Sequence, residues 1–340
     1  MSFRGYFEVR PEQGGHRTDV SATAIEATSD RQIARIERTS RAGCTLVAEV
    51  RADDGRAALA DCFNRQDQLR TDPGKLAAFS GDFSFALIDE RKRTLVLGLA
   101  PLTELELYYR LDSRGHVSFS TALPPLLDHG EQAELDALAK ALRFDAFVDD
   151  QRAFYKGVLR VQPGTIVEFS GNGRAVRRFW NFDPEPIDIG EAAAADQLRA
   201  LTEQAVASRL CAVAGAKGCC LSAGRDSSTV MAIAASQLGQ GGESLDAWTA
   251  AALAGAPTSG RHLLDEAPLA AITSSKFHNV AHHVLRPERF DLCAMLDRIH
   301  AAVAVPVLQP LAAGWCEPLW DASEAAGNRL LLGAGFGNYA

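Results

Sequence analysis

Short alternating runs of hydrophobic and polar residues fill the first half of the chain, a pattern that is typical of β-strands. The segment GDFSFALIDERKRTLVLGLA contains two apolar runs joined by the charged stretch Asp89–Arg93, and this predicts a hairpin. Further strands are predicted at Leu107–Leu111 and His116–Ser120. The segment GTIVEFSGNGRAVRRFW predicts a second hairpin, because Ser170–Gly173 provides turn-forming residues.

The pattern changes in the second half of the chain, where helix and strand signals alternate. Leu135–Phe147 is the clearest helical segment before this change, and the proline-containing acidic segment Asn181–Gly190 reads as a linker. After it, the spacing of apolar residues predicts a helix at Glu191–Leu210, a short strand at Gly218–Leu221 and a helix from about Ser227 to Leu238. Such alternation favours a parallel sheet covered by helices.

The strand-like pattern of the first half and the alternating helix and strand signals of the second half predict two domains. We expect a first domain at residues 1–183, a linker at 184–190 and a second domain at 191–340. A chain of 340 residues with 47% hydrophobic and 23% charged residues is long enough for each domain to bury its own core.

Charge and cysteine content narrow the classes of function. The 35 basic and 43 acidic side chains give a net charge of −8, so the sequence shows no electrostatic signature of a partner such as nucleic acid or an anionic membrane. No apolar run reaches the roughly 18 to 20 residues of a membrane span, and the first residues lack a signal-peptide core, so we expect a cytoplasmic protein. The seven cysteines show no C-x-x-C spacing and are expected to be buried as small hydrophobic residues. The closely spaced histidines at 278, 282 and 283 lack the convergent ligands of a metal site.

The segment KGCCLSAGRDSSTVMAIAASQLG carries the main chemical signal of the sequence. A predicted strand enters a loop of small residues and then a helix, and a helix start of this kind binds anions through unpaired backbone N–H groups and the helix dipole. Gly224 would let the backbone approach a phosphate closely, and the hydroxyls of Ser222, Ser227 and Ser228 would add donors. A carboxylate at Asp226 fits beside phosphate if Mg²⁺ lies between them, so the loop predicts a magnesium–nucleotide complex.

The loop taken alone leaves a second interpretation open. Asp226 could instead cap the helix, with the serines as solvated turn residues. The segment lacks the G-K-[ST] ending of a Walker A loop and the glycine spacing of a dinucleotide fingerprint, so those two nucleotide-binding motifs are excluded.

The stretch LSAGRDSSTV resembles the S-G-G-x-D-S loop of the ATP pyrophosphatases, specifically that of the asparagine synthetase family. The segments FSGDFSFALIDERKRTLVLGLAPLTELELYY, HVSFSTALPPLL and VQPGTIVEFSGNGRAVRRFW are similar, in order, to the glutaminase domain of that family. The segments LLDEAPLAAITSS, HNVAHHVL and NRLLLGAGFGN are similar to its acidic segment, its next strand and its second glycine-rich loop.

This resemblance implies an α/β protein with two different folds in series. The first would be an αββα domain of the Ntn-hydrolase type, which is the fold of the family's glutaminase. The second would be a doubly wound, parallel α/β ATP pyrophosphatase domain of the adenine nucleotide alpha hydrolase type. The family's synthetase domain continues beyond the point that corresponds to Ala340, so we expect this domain to be incomplete, with a homodimer or a partner chain to complete it.

The resemblance also implies ATP and Mg²⁺ as cofactors and assigns residues to them. Asp226 would hold the Mg²⁺ ion, while Asp82, Asp265 and Glu266 would lie on the substrate side. The nucleotide would be bound by residues of the two glycine-containing loops, namely Ser222, Ala223, Gly224, Asp226, Ser227, Ser228, Gly333 and Gly335.

The expected activity is ATP-dependent formation of an amide, in which an aspartate-like carboxylate is activated as its acyl-adenylate. The family's glutaminase uses an N-terminal cysteine, whereas this sequence would present Ser2, a weaker nucleophile, and it has LVAEVRADDG where the family has Asn-Gly-Glu. We therefore expect the first domain to be a scaffold without glutaminase activity. Asn338 after the second glycine-rich loop resembles the lasso-peptide macrolactam cyclases, so a peptide carboxylate is an alternative substrate. A non-catalytic remnant or partner subunit is the alternative of another class.

Overall fold

A computed structural model describes residues 4–8, 19–21, 35–41, 44–50, 72–78, 81–144, 151–252, 265–286 and 291–334. The chain divides into two compact units. The first contains the residues up to Pro184, apart from 31–33, together with Arg298–Leu308, and the second contains Glu185–Asp297, Gln309–Ala340 and residues 31–33. The domain limits at residues 183 and 191 stay predictions.

The first unit is built from two antiparallel sheets. The five-stranded sheet has the order β2-β1-β8-β7-β9 and the six-stranded sheet the order β11-β10-β6-β5-β4-β3. The strands are β1 Arg4–Glu8, β2 Asp19–Ser21, β3 Arg35–Arg41, β4 Cys44–Val50, β5 Phe83–Asp89, β6 Thr94–Leu99, β7 Tyr108–Leu111, β8 His116–Ser120, β9 Val158–Arg160, β10 Thr165–Ser170 and β11 Gly173–Arg178. Helix α1 spans Leu135–Phe144, and short 3₁₀ segments span Pro73–Ala78 and Pro124–Leu126.

The two sheets pack face to face around an apolar core. β5 and β6 lie in the middle of this arrangement and are buried on both of their faces. Leu97 of the six-stranded sheet joins Tyr109 and Phe119 of the five-stranded sheet in one cluster, and the Tyr109 ring meets Phe169 edge-on at 5.4 Å. The alternate residues Phe83 and Phe85 point to the outer face. Helix α1 lies on the outer side of the five-stranded sheet, and Leu76 of the first 3₁₀ segment packs on the outer face of the six-stranded sheet, so the described part of this unit is a mixed α/β structure.

The second unit contains a four-stranded parallel sheet with the order β14-β13-β12-β15. Its strands are β12 Lys217–Cys220, β13 Leu245–Ala250, β14 Val280–Leu285 and β15 Leu330–Leu332. The helices that follow α1 along the chain are α2 Glu191–Cys211, α3 Arg225–Gln240, α4 Ala267–Ser274, α5 Leu292–Val303 and α6 Pro310–Ala325. No helix in the described ranges has both the length and the apolar character needed to cross a bilayer.

Helices cover both faces of this parallel sheet. On one face, Met231 and Ala234 of α3 pack against Cys219 of β12 in the main core cluster of the unit. The next residue of the strand, Cys220, points to the other face, where it interacts with Cys316 of α6. Burial and this neighbouring thiol raise the pKa of Cys220 to about 11, so the thiol is neutral near pH 7. Coverage of both faces confirms the predicted α/β class.

Most predicted elements occur, with differences at their ends. The hairpins around Asp89–Arg93 and Ser170–Gly173 are confirmed, as is the strand Leu330–Leu332. The strand predicted at Gly218–Leu221 begins one residue earlier, at Lys217. Helix α1 is observed to Phe144, and the remainder of its predicted range, 145–147, lies outside the described residues.

Two predictions need correction. Helix α3 begins at Arg225 rather than Ser227, because Gly224 is the last extended residue and the polar residues after it form the first turn. The expectation that the cysteines are buried is wrong for Cys211 and Cys293, which are exposed near helix ends. The spacing of apolar residues does not show which way a small side chain near a helix end points, because the tertiary structure sets that orientation.

Candidate functional site

The candidate site lies at the carboxyl edge of the parallel sheet, where the direction of strand addition reverses. From β12 the chain proceeds to β13 and β14 on one side, whereas β15, the last strand among the described residues, pairs with the other side of β12. In open α/β sheets, ligands bind in the crevice outside the carboxyl ends of two such strands. Residues 221–224 follow β12 and Gly333 follows β15, so both predicted loops lie at this edge.

Ser222 and Ser227 fix the shape of the loop through a network of hydrogen bonds. The Ser222 N–H donates to Ser227 Oγ at 3.0 Å, and the two hydroxyl oxygens lie 2.8 Å apart. The Gly224 N–H donates to Ser222 Oγ at 3.0 Å, and the Ser228 hydroxyl donates to the Ser222 carbonyl oxygen at 3.4 Å. A Cβ atom at Gly224 would lie 3.1 Å from Ser222 Oγ, so a larger residue there would disturb this network.

The start of α3 presents unpaired backbone donors. Gly224 occupies the N-cap position with φ −72° and ψ 153°, and no side chain caps the helix. In the part of the chain that the structure describes, the N–H groups of Arg225, Asp226 and Ser227 meet no acceptor, while the N–H of Ser228 donates to Gly224 O at 3.2 Å. Neighbouring free N–H groups at the positive end of a helix dipole are suited to binding an anion. The alternative in which Asp226 caps the helix is therefore wrong.

Asp226 lies in this first turn and is half-buried. Among the described residues, no group of three or more His, Cys, Asp or Glu side chains is arranged to hold a metal ion. A Mg²⁺ ion here would take most of its oxygen ligands from phosphate and water, with Asp226 as the protein carboxylate, which is how Mg²⁺ commonly binds with nucleotides. The donors at the helix start and this carboxylate thus fit a magnesium–phosphate group.

The predicted substrate-side residues Asp265 and Glu266 lie at the start of α4, and one of them reaches the loop. Glu266 Oε2 accepts a hydrogen bond from the Ala223 N–H at 3.0 Å. Asp265 instead accepts from Arg286 Nη2 at 2.5 Å and from the Ala267 N–H at 3.1 Å. The hydrogen bond from Arg286, followed by that from Ala267, lowers the pKa of Asp265. Sequence reasoning missed Arg286, because a lone arginine after a strand carries no motif.

Thr249 and His282 support the loop from the neighbouring strands. The Thr249 hydroxyl donates to the Leu221 carbonyl oxygen at 2.7 Å, and its oxygen lies 2.8 Å from His282 Nε2. Burial, with a smaller contribution from His283, lowers the pKa of His282. Thr249 of β13 and His282 of β14 both project onto the face of the sheet that carries α3. There they lie next to Leu221, the first residue after β12. No signal in the sequence linked them to the loop, since the link depends on strand register.

The other predicted site residues are placed as follows. Gly333 is exposed at the end of β15, with no atom within 4 Å of the position where a Cβ would stand. Asp82 belongs to the first unit, where it is half-buried directly before β5. Gly335 and Ser2 lie outside the described residues. The structure thus brings together the loop residues, Glu266 and the end of β15, all within the second unit.

Two family models match the chain in separate regions. Residues 71–180 match the glutamine amidotransferase domain, and residues 197–335 match asparagine synthase. No curated protein is significantly similar to this sequence.

Solved structures that resemble the chain are remote in sequence. A glutamine aminotransferase class-II domain protein from Silicibacter pomeroyi is 11% identical with a TM-score of 0.31, and the match covers 54% of this chain and all of that one. Glutamine phosphoribosylpyrophosphate amidotransferase from B. subtilis, complexed with ADP and GMP, is 10% identical with a TM-score of 0.30, covering 92% of this chain and 86% of that one. An allosteric regulatory enzyme of purine biosynthesis is 12% identical with a TM-score of 0.27, covering 83% of this chain and 73% of that one.

Proposed function

Because the chain belongs to the asparagine synthetase family, whose members use ATP, we propose that it is a ligase. It would use ATP to form an amide bond between a carboxylate and an amine. One observation carries this proposal. The unpaired N–H groups of Arg225, Asp226 and Ser227 lie at the start of α3, which follows β12 after the loop of residues 221–224, and the hydroxyls of Ser222 and Ser227 belong to the same turn. Donors of this kind bind the phosphate groups of nucleotides.

The proposed reaction has two steps. A carboxylate oxygen attacks the α-phosphorus of ATP, the bond to the bridging oxygen breaks, and pyrophosphate leaves with that electron pair, so that an acyl-adenylate forms. The amine then attacks the acyl carbon, the carbon–oxygen bond to AMP breaks, and the amine loses a proton. Negative charge accumulates on pyrophosphate in the first step, and the backbone donors of residues 225–227 would stabilise it.

Asp226 would hold Mg²⁺ against the phosphate oxygens, and the ion supplies charge neutralisation there when bound. The protein's own contribution is mainly positioning, since the first step needs no proton transfer.

Calorimetric titration with ATP, with and without Mg²⁺, tests the nucleotide site. We expect Asp226→Asn to weaken magnesium-dependent binding about tenfold or more, since a charged ligand of the complex is lost. Asp196→Asn is the matched control, because Asp196 is exposed on α2 and the substitution removes the same charge. No magnesium-dependent binding by the wild type would contradict the ligase and favour the non-catalytic remnant or partner subunit.

The identity of the carboxylate is tested by AMP release with two classes of substrate. Aspartate with ammonia as the amine source represents the small amino acid, and a peptide with a free amino terminus and an Asp or Glu side chain represents the macrolactam cyclase alternative. AMP release with aspartate supports the asparagine synthetase reaction. Release with the peptide alone assigns the cyclase reaction, and release with neither class refutes the ligase.

We further propose that the first unit is a scaffold without glutaminase activity. Residues 46–55, LVAEVRADDG, replace a glutamine-binding segment of the family, and Asp82 is the position that still matches. Ammonia should therefore support amide formation where glutamine does not, and no glutamate should appear when glutamine is supplied. Glutamate release by the purified chain would overturn this proposal.

A further inference from the structure

Glu266 makes a contact that its position in the fold does not require. It is the N-cap residue of α4, yet its side chain makes no capping hydrogen bond to its own helix. Its carboxylate reaches the loop after β12 instead, where Oε2 lies 3.0 Å from the Ala223 nitrogen. An acidic side chain at a helix start normally accepts from its own backbone N–H groups. Here Asp265 does so for Ala267, which leaves Glu266 available for the loop.

Arg286 and Asp265 hold Glu266 in place. The Arg286 guanidinium donates to Asp265 Oδ2 at 2.5 Å and to the Ala252 carbonyl oxygen at 3.4 Å. Ala252 follows β13, Arg286 follows β14 and Asp265 precedes α4, so one planar cation joins three points of the sheet edge. The start of α4, and with it the Glu266 backbone, is thereby fixed relative to the ends of these strands.

The Glu266 contact pairs one of the backbone donors of the loop. The N–H groups of Ser222, Ala223 and Gly224 are all paired, with Ser227 Oγ, Glu266 Oε2 and Ser222 Oγ respectively. The next three N–H groups, of residues 225–227, are unpaired among the described residues. Of the three paired groups, Ala223 alone depends on a side chain from outside the loop and α3, so the peptide between Ser222 and Ala223 is oriented from α4.

We propose that Glu266 is a positioning residue that orients the Ser222–Ala223 peptide, so that the free N–H groups of the α3 start face the phosphates of the nucleotide. This inference rests on the proposed function. A negative charge close to a phosphate site is unfavourable in itself, so the carboxylate acts here as a hydrogen-bond acceptor and not through its charge. A neutral acceptor of the same shape should therefore serve as well.

Two variants separate these roles in magnesium–ATP titrations. Glu266→Gln keeps an acceptor oxygen without the charge and should bind ATP within about threefold of the wild type. Glu266→Ala removes the acceptor and should weaken binding about tenfold, an effect of the size expected for losing one hydrogen bond. Glu191→Ala, an exposed acidic residue at the start of α2, is the matched control and should bind as the wild type does.

The pattern of kinetic constants gives a second readout. In Glu266→Ala, the KM for ATP should rise while the KM for the carboxylate stays unchanged. A rise in the carboxylate KM alone would make Glu266 a substrate ligand and overturn the proposal. Equal loss of ATP binding in both variants would show that the charge itself is needed, and tighter binding in both would show that Glu266 obstructs the site; either result overturns it as well.

Hydrogen exchange measured by mass spectrometry tests the contact without nucleotide. The peptide containing Ala223 should exchange faster in Glu266→Ala than in the wild type and Glu266→Gln. Unchanged exchange in Glu266→Ala refutes the positioning role even if ATP binds. Faster exchange in a protein whose wild type binds no magnesium–ATP refutes the proposed function instead, and with it the role toward phosphate, so the two failures are distinguishable.

Discussion

The hydroxyl of Thr249 donates a hydrogen bond to the carbonyl oxygen of Leu221, 2.7 Å away, at the first residue of the loop that follows β12. A hydroxyl has a single proton. The contact of 2.8 Å between Thr249 Oγ1 and His282 Nε2 must therefore be donated by the histidine, which fixes its neutral tautomer with the proton on Nε2. Three neighbouring parallel strands are joined in this way directly beneath the loop.

Replacing Thr249 by valine should destabilise the second unit by about 1–3 kcal/mol, because the substitution leaves the Leu221 carbonyl and the His282 N–H without this partner. Thr249 is only 1% exposed, so water cannot readily take its place. The free energy of unfolding from urea titration measures the effect. Thr249→Ser keeps the hydroxyl and should lose less; equal losses in both variants would show that the methyl group, not the hydrogen bond, matters.

The free energy of unfolding should decrease as the pH is lowered through the range in which His282 titrates. Burial lowers its folded pKa below the ordinary value of 6.5, so between these two values the unfolded chain binds more protons than the folded one. The free energy of unfolding therefore decreases as pH falls through 6.5 toward the folded pKa and levels off below it.

His282→Gln keeps a donor for Thr249 but does not titrate. Relative to this variant, the wild type should lose stability between pH 8 and pH 5, measured by urea titration at each pH. A constant difference between the two proteins over this range would contradict the assignment to His282.

Gly98→Ala should destabilise the first unit by about 1–3 kcal/mol through overpacking. A Cβ at Gly98 would stand 2.3 Å from Cε1 and 2.4 Å from Cζ of Phe85, its partner across β5 and β6, and that ring is buried in the core. Gly171→Ala is the control, since no atom lies within 4 Å of its Cβ position. Thermal or urea unfolding of both variants gives the comparison, and a Gly98→Ala protein as stable as the wild type would mean that Phe85 can move aside.

Ser227→Ala should weaken magnesium–ATP binding about tenfold, because it removes the acceptor for the Ser222 N–H and the hydroxyl contact that shapes the loop. Ser236→Ala is the control, because Ser236 lies on the same helix and its exposed hydroxyl donates to Ala232 O of the preceding turn, so this variant should bind normally. Calorimetric titration of both variants measures the difference. Normal binding by Ser227→Ala would show that the serine network is dispensable.

Much of the fold was predictable because its signals are local. The hairpin at β5 and β6 follows from two apolar runs and a charged turn, and the alternation after residue 190 predicts the parallel sheet. The ends of elements were harder to predict. Helix α3 begins two residues before its predicted start, because its first turn is polar and the spacing of apolar residues does not mark it. The exposure of Cys211 and Cys293 was not predictable, because composition says only that cysteine is usually buried.

The sequence by itself determined the contiguous part of the candidate site. Ser222, Gly224 and Ser227 are neighbours along the chain, and a strand, a loop of small residues and a helix in succession place their donors together whatever surrounds them. Only the tertiary structure decided the partners that lie far away in sequence. Glu266 is 43 positions from Ala223 along the chain, and His282 is 33 positions from Thr249. The register of parallel strands and the placement of α4 create these contacts, and neither is encoded by any short pattern of residues.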